Sequence, residues 1–366
     1  MRTEVIEAEG DFLSLGREWD RLFEEAGQDN FFLGWPWIKT WWECFGRSMQ
    51  PRIITVRGSS GRLEGAAALA IRQRRMAGIA VKCVELIGSG SEVTPDHLGF
   101  ISLPGIRDGF ARTVFSELRK RSREWDMIRL TDLQDDEAVR CAASRAFGTQ
   151  AEAVQRGICP FIELPSSWEI YSGSLARRVR YNINRQEREL GKRFRVDFSL
   201  CRDRDQLGPL MEKFEAAHRQ RMAAKGKNGL QASLDPLFWH FHRQVADEAF
   251  DRGQLLFGAV TLDGELAACQ YGFCCGKRFL FYQSGLDPRF EEFSVGFLLT
   301  AFMVRELIGR GFAEYDFLRG DERYKFFFTK SIRPNTEIIV RNKNLKTFIV
   351  SGLSFPRAAL KKLIMH

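Results

Sequence analysis

The residues best suited to chemistry lie in one continuous stretch, Phe281 to Lys325. Its end reads Tyr315-Asp316-Phe317-Leu318-Arg319-Gly320-Asp321-Glu322-Arg323-Tyr324-Lys325. A strand over Ala313–Leu318 delivers Asp316, and Gly320 breaks it. Ionisable side chains at a strand's carboxyl end, beside a helix N-terminus, make the usual acid–base site of an α/β protein. The same residues also read as a surface loop whose charges pair with one another. The start of the stretch offers a seat for an anion. A strand over Phe279–Ser284 ends at Gly285, Asp287-Pro288-Arg289 turns the chain, and Ser294-Val295-Gly296 opens a helix. A helix start exposes unpaired N–H groups at the positive end of its dipole, and Gly296 lets a ligand approach the backbone. With Arg289 this is a seat for a pyrophosphate. The spacing is neither G-x-G-x-x-G nor G-x-x-x-x-G-K-[ST], so neither standard nucleotide loop is present. There is no G-x-S-x-G, and no cysteine is marked out by its surroundings, so no covalent nucleophile is expected.

Other chemistry-bearing residues are scattered. His218 ends the helical run Phe214-Glu-Ala-Ala-His218 and reads either as a satisfied interfacial histidine or as an active-site contact. His240 and His242 stand two apart on a helix, about 200° around its axis, so they cannot share a metal. No other His/Cys group has ligand spacing, and no metal is expected. Ser172–Arg195 holds eight Lys/Arg against two Glu, with Arg178, Arg185 and Lys192 on one helical stripe. It reads as a solvated face or as a binder of phosphate on a sugar nucleotide, a lipid or CoA. Aromatics are not interleaved with these charges except at Tyr181, which disfavours nucleic acid. Ser354–Met365 pairs Leu360, Leu363 and Ile364 with Arg357, Lys361 and Lys362, and reads as a packing segment or as an amphipathic anchor at an anionic membrane surface.

The elements that must position these groups follow from periodicity. Helices are expected over Asp11–Ala26, Gly109–Arg123, Leu175–Leu190, Gln206–Met222, Asp235–Phe250 and Gly296–Gly309. Trp37, Ile38, Trp41, Trp42 and Phe45 form one helical face after Pro36, which reads as a core stripe or as a ligand-stacking face. Strands are expected over Arg52–Val56, Leu63–Ile71, Ala80–Ile87 and Met127–Leu130. In the second half they are expected over Gln254–Leu262, Glu265–Phe273 and Arg278–Ser284, with Asp263-Gly264 the best hairpin signal. Each half runs helices, hairpin, strand, helix, strand, the order of a duplication.

The chain has 366 residues, 44% apolar and 28% charged, which suits two globular domains and excludes a disordered or collagen-like chain. No run approaches the roughly 18 apolar residues of a membrane span. The N-terminus carries acids where a signal peptide needs an apolar run, so a cytoplasmic, reduced chain is expected. The net charge of +8 is local: Ser172–Arg195 and Arg341–His366 each carry +6, leaving the remainder at −4. A local anionic partner is therefore implied.

In order, the pieces FFLGWPWIKTWWECFG, LARRVRYNINRQERELGK, His218-Arg-Gln-Arg221, LDGELAACQYG, YQSGLDP, SVGFLL and DFLRGDERYK span Phe31 to Lys325. Together they resemble the CelD-type acetyltransferases of bacterial polysaccharide biosynthesis, a branch of the GNAT superfamily related to FemAB-like peptidyltransferases. The resemblance implies an α/β (α+β) fold of two tandem GNAT-like halves, each a mixed sheet flanked by helices. The expected domains are a degenerate N-terminal half (1–160), an acyl-CoA-binding half (161–345) and a basic tail (346–366). Gly88-Ser-Gly-Ser91 and Asp96-His97 are the only polar oddities of the first half. The resemblance also implies that acetyl-CoA or a related acyl-CoA lies along Gln283 and Ser284, with its pyrophosphate at Arg289, Ser294, Val295 and Gly296. The acyl group passes directly to an amine or hydroxyl of a sugar or polysaccharide precursor held between the halves. Asp316 is the expected base, or else a cap of the next turn. Tyr324 is the expected acid, and His218 a further active-site group. Arg319, Lys325, Arg178 and Arg185 are expected to hold anionic parts of the substrates. The alternatives are a FemAB-like transferase using aminoacyl-tRNA and a non-catalytic module that senses a nucleotide. Peripheral contact with the inner membrane is compatible with any of these.

Overall fold

The computed structural model describes residues 1–90, 93–134, 136–225 and 235–350 of the chain. Two compact units emerge: Met1–Gln28, Phe32–Arg156 and Pro334–His366 form the first, and Asp29–Phe31 with Gly157–Arg333 the second.

The first unit holds β1 (Arg2–Ile6), α1 (Glu9–Ser14), α2 (Gly16–Glu25), α3 (Trp35–Phe45), β2 (Met49–Pro51), β3 (Ile53–Arg57), β4 (Leu63–Ala67), β5 (Leu69–Met76), β6 (Ile79–Leu86), β7 (Ile101–Ser102), α4 (Arg107–Lys120), β8 (Met127–Gln134) and α5 (Glu137–Phe147). The helix expected over Asp11–Ala26 is two, because the chain bends at Leu15. The aromatic stripe on α3 is core: Trp37, Ile38, Trp41 and Trp42 are buried. The indole of Trp37 donates to the Gly88 carbonyl at 3.2 Å. Strands β1, β3, β4 and β7 form one antiparallel sheet.

The second unit opens with β9 (Ala151–Glu163), whose last residues belong to it, followed by α6 (Trp168–Ser174), α7 (Arg177–Arg193), β10 (Val196–Leu200), α8 (Arg204–Lys225), α9 (Pro236–Asp251), β11 (Leu255–Leu262), β12 (Glu265–Cys275), β13 (Arg278–Leu286), α10 (Val295–Gly309), β14 (Glu314–Asp316) and α11 (Lys325–Phe328). Its strands run in the order β10-β11-β12-β13-β14-β9. All neighbours are antiparallel except β13 and β14, which are parallel because α10 crosses between them. The hairpin turn lies where expected: Asp263 at φ 52° and Gly264 at φ 87° give the left-handed pair that a two-residue loop between twisted strands requires. One face of the sheet packs on the apolar α10, with Phe279, Phe281, Leu298, Leu299 and Tyr315 in its core. The other face carries an aromatic layer of Phe214, Trp239, Tyr271 and Tyr282 in mutual ring contact.

The chain then returns: β15 (Ile332–Arg341) pairs with β8, and β6, β5 and β2 complete that first-unit sheet. In this sheet too a single parallel pair, β6 with β8, spans a crossover helix, α4. The expected mixed α/β architecture of sheets flanked by helices is therefore present in both units. The last strand of each half joins the sheet of the other unit: β9 pairs with β14, and β15 with β8. That exchange is why residues from Pro334 group with the first unit, whereas the sequence reading put 334–345 in the second domain. Glu337 fixes the returning strand. Its buried carboxylate accepts from Arg129 at 2.6 Å and from Arg156, and these bonds outweigh burial to hold it below the usual glutamate range. Of the expected tail, residues 351–366 lie outside those described, as does Ser91 in the first half.

Candidate functional site

The second sheet comes apart at one place. The parallel register of β13 and β14 runs over Arg278↔Glu314, Phe279↔Tyr315 and Leu280↔Asp316, and there it ends. β13 continues to Leu286, so its last turns of strand have no partner on that side. On the other side the register against β12 slips. Tyr271 faces Gln283 and Gly272 faces Phe281, so Tyr282 is an extra residue, a β-bulge. Gly272 makes this possible, since a Cβ there would lie 2.1 Å from the Leu280 carbonyl oxygen.

A cavity of about 190 Å³ fills the opening. Ser284, Gly285 and Phe281 wall it from β13, Ser294, Gly296 and Phe297 from the start of α10, and Tyr324 from beyond β14. Ser294 begins the helix with a left-handed backbone (φ 52°, ψ 34°) and makes no side-chain cap bond. Phe297 and Leu298 donate their N–H groups to the Ser294 carbonyl, which leaves those of Val295 and Gly296 without a partner among the described residues. Nothing lies within 4 Å of where a Gly296 Cβ would project. Cys269 also lines the cavity, but burial pushes its thiol up to about 12, so it is a neutral wall and not a thiolate.

Of the expected donor residues, Ser284, Ser294 and Gly296 thus line one cavity, while Val295 lies outside its lining and is buried in the core. Gln283 lies beside the bulge and is half-buried. Arg289 is a correction. Its guanidinium is held by both oxygens of Asp287 and by Glu265 at 2.8 Å, and the hydrogen bonds to Asp287 raise its pKa. An arginine already neutralised by two carboxylates is a poor pyrophosphate seat.

The turn after β14 shows why its residues are ionisable. Asp316 is wholly buried. Its Oδ2 accepts from Arg278 at 2.6 Å and from Arg333 at 2.7 Å, and its Oδ1 accepts from the Leu318 N–H at 2.7 Å. Glu314 joins the same two guanidiniums. Burial opposes the charge on Arg333, but its bonds to Glu314 and Asp316 prevail and raise its pKa above the ordinary arginine value. The bond from Leu318 supports a left-handed, non-glycine backbone at that residue (φ 56°). Lys325 is buried as well. Its Nζ donates to the Arg319 carbonyl at 2.8 Å and pairs with Glu322 at 2.9 Å. Arg319 lays its methylenes on Gly157. Of the two roles read from sequence for Asp316 the structure has the cap, and Lys325 is engaged within the turn. Asp316 is the turn's cap and ion-pair centre, not an accessible base, and Lys325 clamps the turn instead of facing a substrate. What the turn presents is Tyr324, which packs edge-on to Phe317 with centroids 6.2 Å apart and reaches the cavity wall.

His218 sits on α8 among Phe214, Phe238 and Trp239, nearly buried and outside the cavity lining. Close by, His242 is fully buried and bonds through Nδ1 to the Tyr271 hydroxyl. Burial, and secondly the nearness of His218, lower its pKa to about 3. The sign follows. The unfolded chain takes up this proton near pH 6.5 and the folded chain only near 3, so the contribution is full above 6.5 and lost as pH falls through that window. We expect Tm to fall over this range, and His242→Phe to flatten the slope in a pH series of melting curves. An unchanged slope would remove His242 from the acid sensitivity. Arg178 and Arg185 are exposed on α7, away from the cavity lining. Among the described residues no three His, Cys, Asp or Glu side chains are placed to hold a metal ion.

The sequence of residues 177–326 matches the family described as the acetyltransferase (GNAT) domain. The match to a GNAT-type acetyltransferase domain covers this segment, less than half of the chain. The segment's sheet, with one parallel pair spread by a bulged strand over a helix start, is the part of the molecule that holds the cavity. The whole chain is similar in fold to solved structures. One is FemX, at 11% identity, TM-score 0.62, covering 96% of this chain and 100% of that one. Another is the C-terminal domain of an Agrobacterium fabrum protein described as a lysylphosphatidylglycerol synthetase, at 9% identity, TM-score 0.56, covering 93% and 96%. A third is L-PGS from Bacillus licheniformis, at 11% identity, TM-score 0.52, covering 92% and 95%. None of the curated proteins matches the chain. Among the described residues no helix is long and apolar enough to cross a membrane.

Proposed function

We propose that the GNAT domain binds an acyl-CoA, acetyl-CoA in the simplest case, in the opening between β13 and β14. It transfers the acyl group to an amine or hydroxyl of a sugar or polysaccharide precursor. The observation that carries this reading is the coincidence of three features: the splay beyond Leu280, the bulge at Tyr282 and the uncapped start of α10, all around one cavity. About 190 Å³ is below the roughly 300–1,000 Å³ of pockets that enclose whole ligands. It suits a slender thioester arm whose nucleotide stays outside.

The chain's own groups then have distinct tasks. The first N–H groups of α10, with the Ser294 hydroxyl, bind phosphate oxygens. A backbone N–H of the bulged segment, released from its register partners, donates to the carbonyl oxygen as negative charge develops on it. As the acceptor nitrogen or oxygen bonds to the acyl carbon and the carbon–sulfur bond breaks, the Tyr324 hydroxyl gives a proton to the departing sulfur, the acceptor's own proton passes to water, and water reprotonates Tyr324. No covalent enzyme intermediate is required.

The experiment is to fill the cavity. Gly296→Trp projects into open space from a helix position that tolerates any side chain, so the fold is expected to survive. The variant is expected to keep the Tm of the parent, to lose the thermal shift given by acetyl-CoA, and to raise KM for the donor at least tenfold. An undiminished shift would overturn the site. An aminoacyl-tRNA donor is the second reading. It is favoured by the similarity in fold to FemX and L-PGS, and by the exposed arginines of α7. It predicts no thermal shift with acetyl-CoA in the parent protein and transfer that requires charged tRNA.

A further inference from the structure

A second concavity of about 450 Å³ opens on the same unit between α6, the start of α7 and the end of α11. Ile170, Leu175, Val179, Phe326, Phe327 and Phe328 give it apolar walls. Its rim keeps large apolar side chains in water: Ile170 is 58% exposed, Phe326 38% and Phe327 45%, and Ile332, next to the lining residue Ser331, is 50% exposed. Scattered exposed apolar residues need no explanation, but four around one groove do.

The charges around it are equally unusual. Lys330 and a single acid, Glu163, line the groove, and Arg177 and Arg178 follow its lining residue Ala176, so cations outnumber acids there three to one. None of the three has a hydrogen-bond or ion-pair partner among the described residues, although most arginines of this unit do. Arg177, Arg178 and Arg180 occupy the first turn of α7, whose cap residue Ala176 makes no side-chain bond and which carries no acid there. Cations at a helix's positive end cost stability. The local arrangement therefore opposes folding and favours an external anion.

We propose that this face docks on an anionic lipid bilayer, with Phe326, Phe327, Ile170 and Ile332 entering the interfacial layer and Arg177, Arg178 and Lys330 meeting headgroup phosphates. Exposed aromatic and branched side chains ringed by unpaired cations are the composition of an interfacial anchor. The other occupants fit less well. Residues 351–366 carry Arg357, Lys361 and Lys362 and no acid, so they would be repelled. A second copy would set the same cations against themselves. Two of the four exposed apolar groups, Ile170 and Ile332, offer no stacking plane to a nucleic acid. The groove also adjoins the donor cavity. Phe297, which lines that cavity, packs on Phe327 and Phe328 with centroids 6.2 and 4.9 Å apart. Docking would thus bring the cavity to headgroup level, but the inference stands whether or not acyl transfer is the activity.

The test is flotation of the full chain with vesicles of pure phosphatidylglycerol or pure phosphatidylcholine. The parent is expected to float with the first and not the second. Two variants, Phe326→Ser with Phe327→Ser, and Arg177→Gln with Arg178→Gln and Lys330→Gln, change exposed side chains and should melt like the parent. Each is expected to lose roughly tenfold or more in bound fraction, and added salt should weaken parent binding. Flotation of both variants equal to the parent, with loss only when residues 351–366 are removed, would place the contact in the tail and overturn the proposal. No parent flotation with either vesicle would overturn it too.

Discussion

Replacing Tyr324 with Phe is expected to lower kcat for acyl transfer about a hundredfold, the scale of one well-placed general acid, while leaving donor KM within about twofold. The geometry separates the hydroxyl from the ring. The ring packs on Phe317, a contact that Phe keeps, and the cavity stays the same size. Only the proton is lost. Its need arises because a thiolate leaving without a proton develops full charge in a small, largely apolar opening. The leaving group therefore supplies the discriminating measurement. A thioester whose thiol is already acidic needs little protonation on departure, so the parent and the variant should converge on such a donor. If they stay a hundredfold apart on it, Tyr324 acts on something other than the departing sulfur. Unchanged kcat with the ordinary donor would remove its role altogether.

The second unit was far more legible in the sequence than the first, and the reasons are physical. Where local chemistry decides, the reading held to within a residue or two. Asp263-Gly264 makes the hairpin, Pro236 follows the capping Asp235, and Gly309 ends α10. β1, β2, β7, α5 and α6 were not read from the sequence, and neither were β9, β10 and β15. β9 alternates poorly, with Gly157 and Pro160 inside it, because it is buried only at its far end where it meets β14. β15 contains Pro334 and Asn335, and its identity depends on strands about 200 residues earlier, which no local pattern reveals. α7 was expected to start at Leu175, but the extended backbone of Leu175 and Ala176 separates it from α6.

In the site, the motif was legible and its meaning was not. DFLRGDERYK attracts attention because it is dense in ionisable groups, yet Asp316 and Lys325 spend their charge inside the turn. Sequence cannot show which end of an ionisable side chain faces solvent. Arg278 and Arg333, which lie well outside that motif, neutralise its aspartate and were not singled out. The one usable sign concerned Arg278, which opens a strand whose apolar residues mark it as buried, so its charge needed a partner.

Asp316→Asn settles the matter by its effect on folding. The substitution leaves two guanidiniums, Arg278 and Arg333, sharing Glu314, with only a long 3.5 Å contact from Arg278 to the exposed Asp29 beside it. Breaking a buried charge pair by removing one partner costs about 3–5 kcal/mol, which lowers Tm by roughly 10 °C in a unit of this size. Asn can still accept from the Leu318 N–H, so Asp316→Ala, which loses that bond too, should be less stable again. Activity should follow stability. With the turn loosened, Tyr324 loses its fixed place on the cavity wall, and kcat should fall with it but recover as the assay temperature is lowered. A proton acceptor would behave in the opposite way, with Tm kept and kcat lost at every temperature. The Asn and Ala variants would then be equally inactive, since neither can take a proton from the acceptor. A wholly buried carboxylate held by two arginines and a backbone N–H offers no accessible oxygen to a substrate, and that is why the first outcome is the one expected.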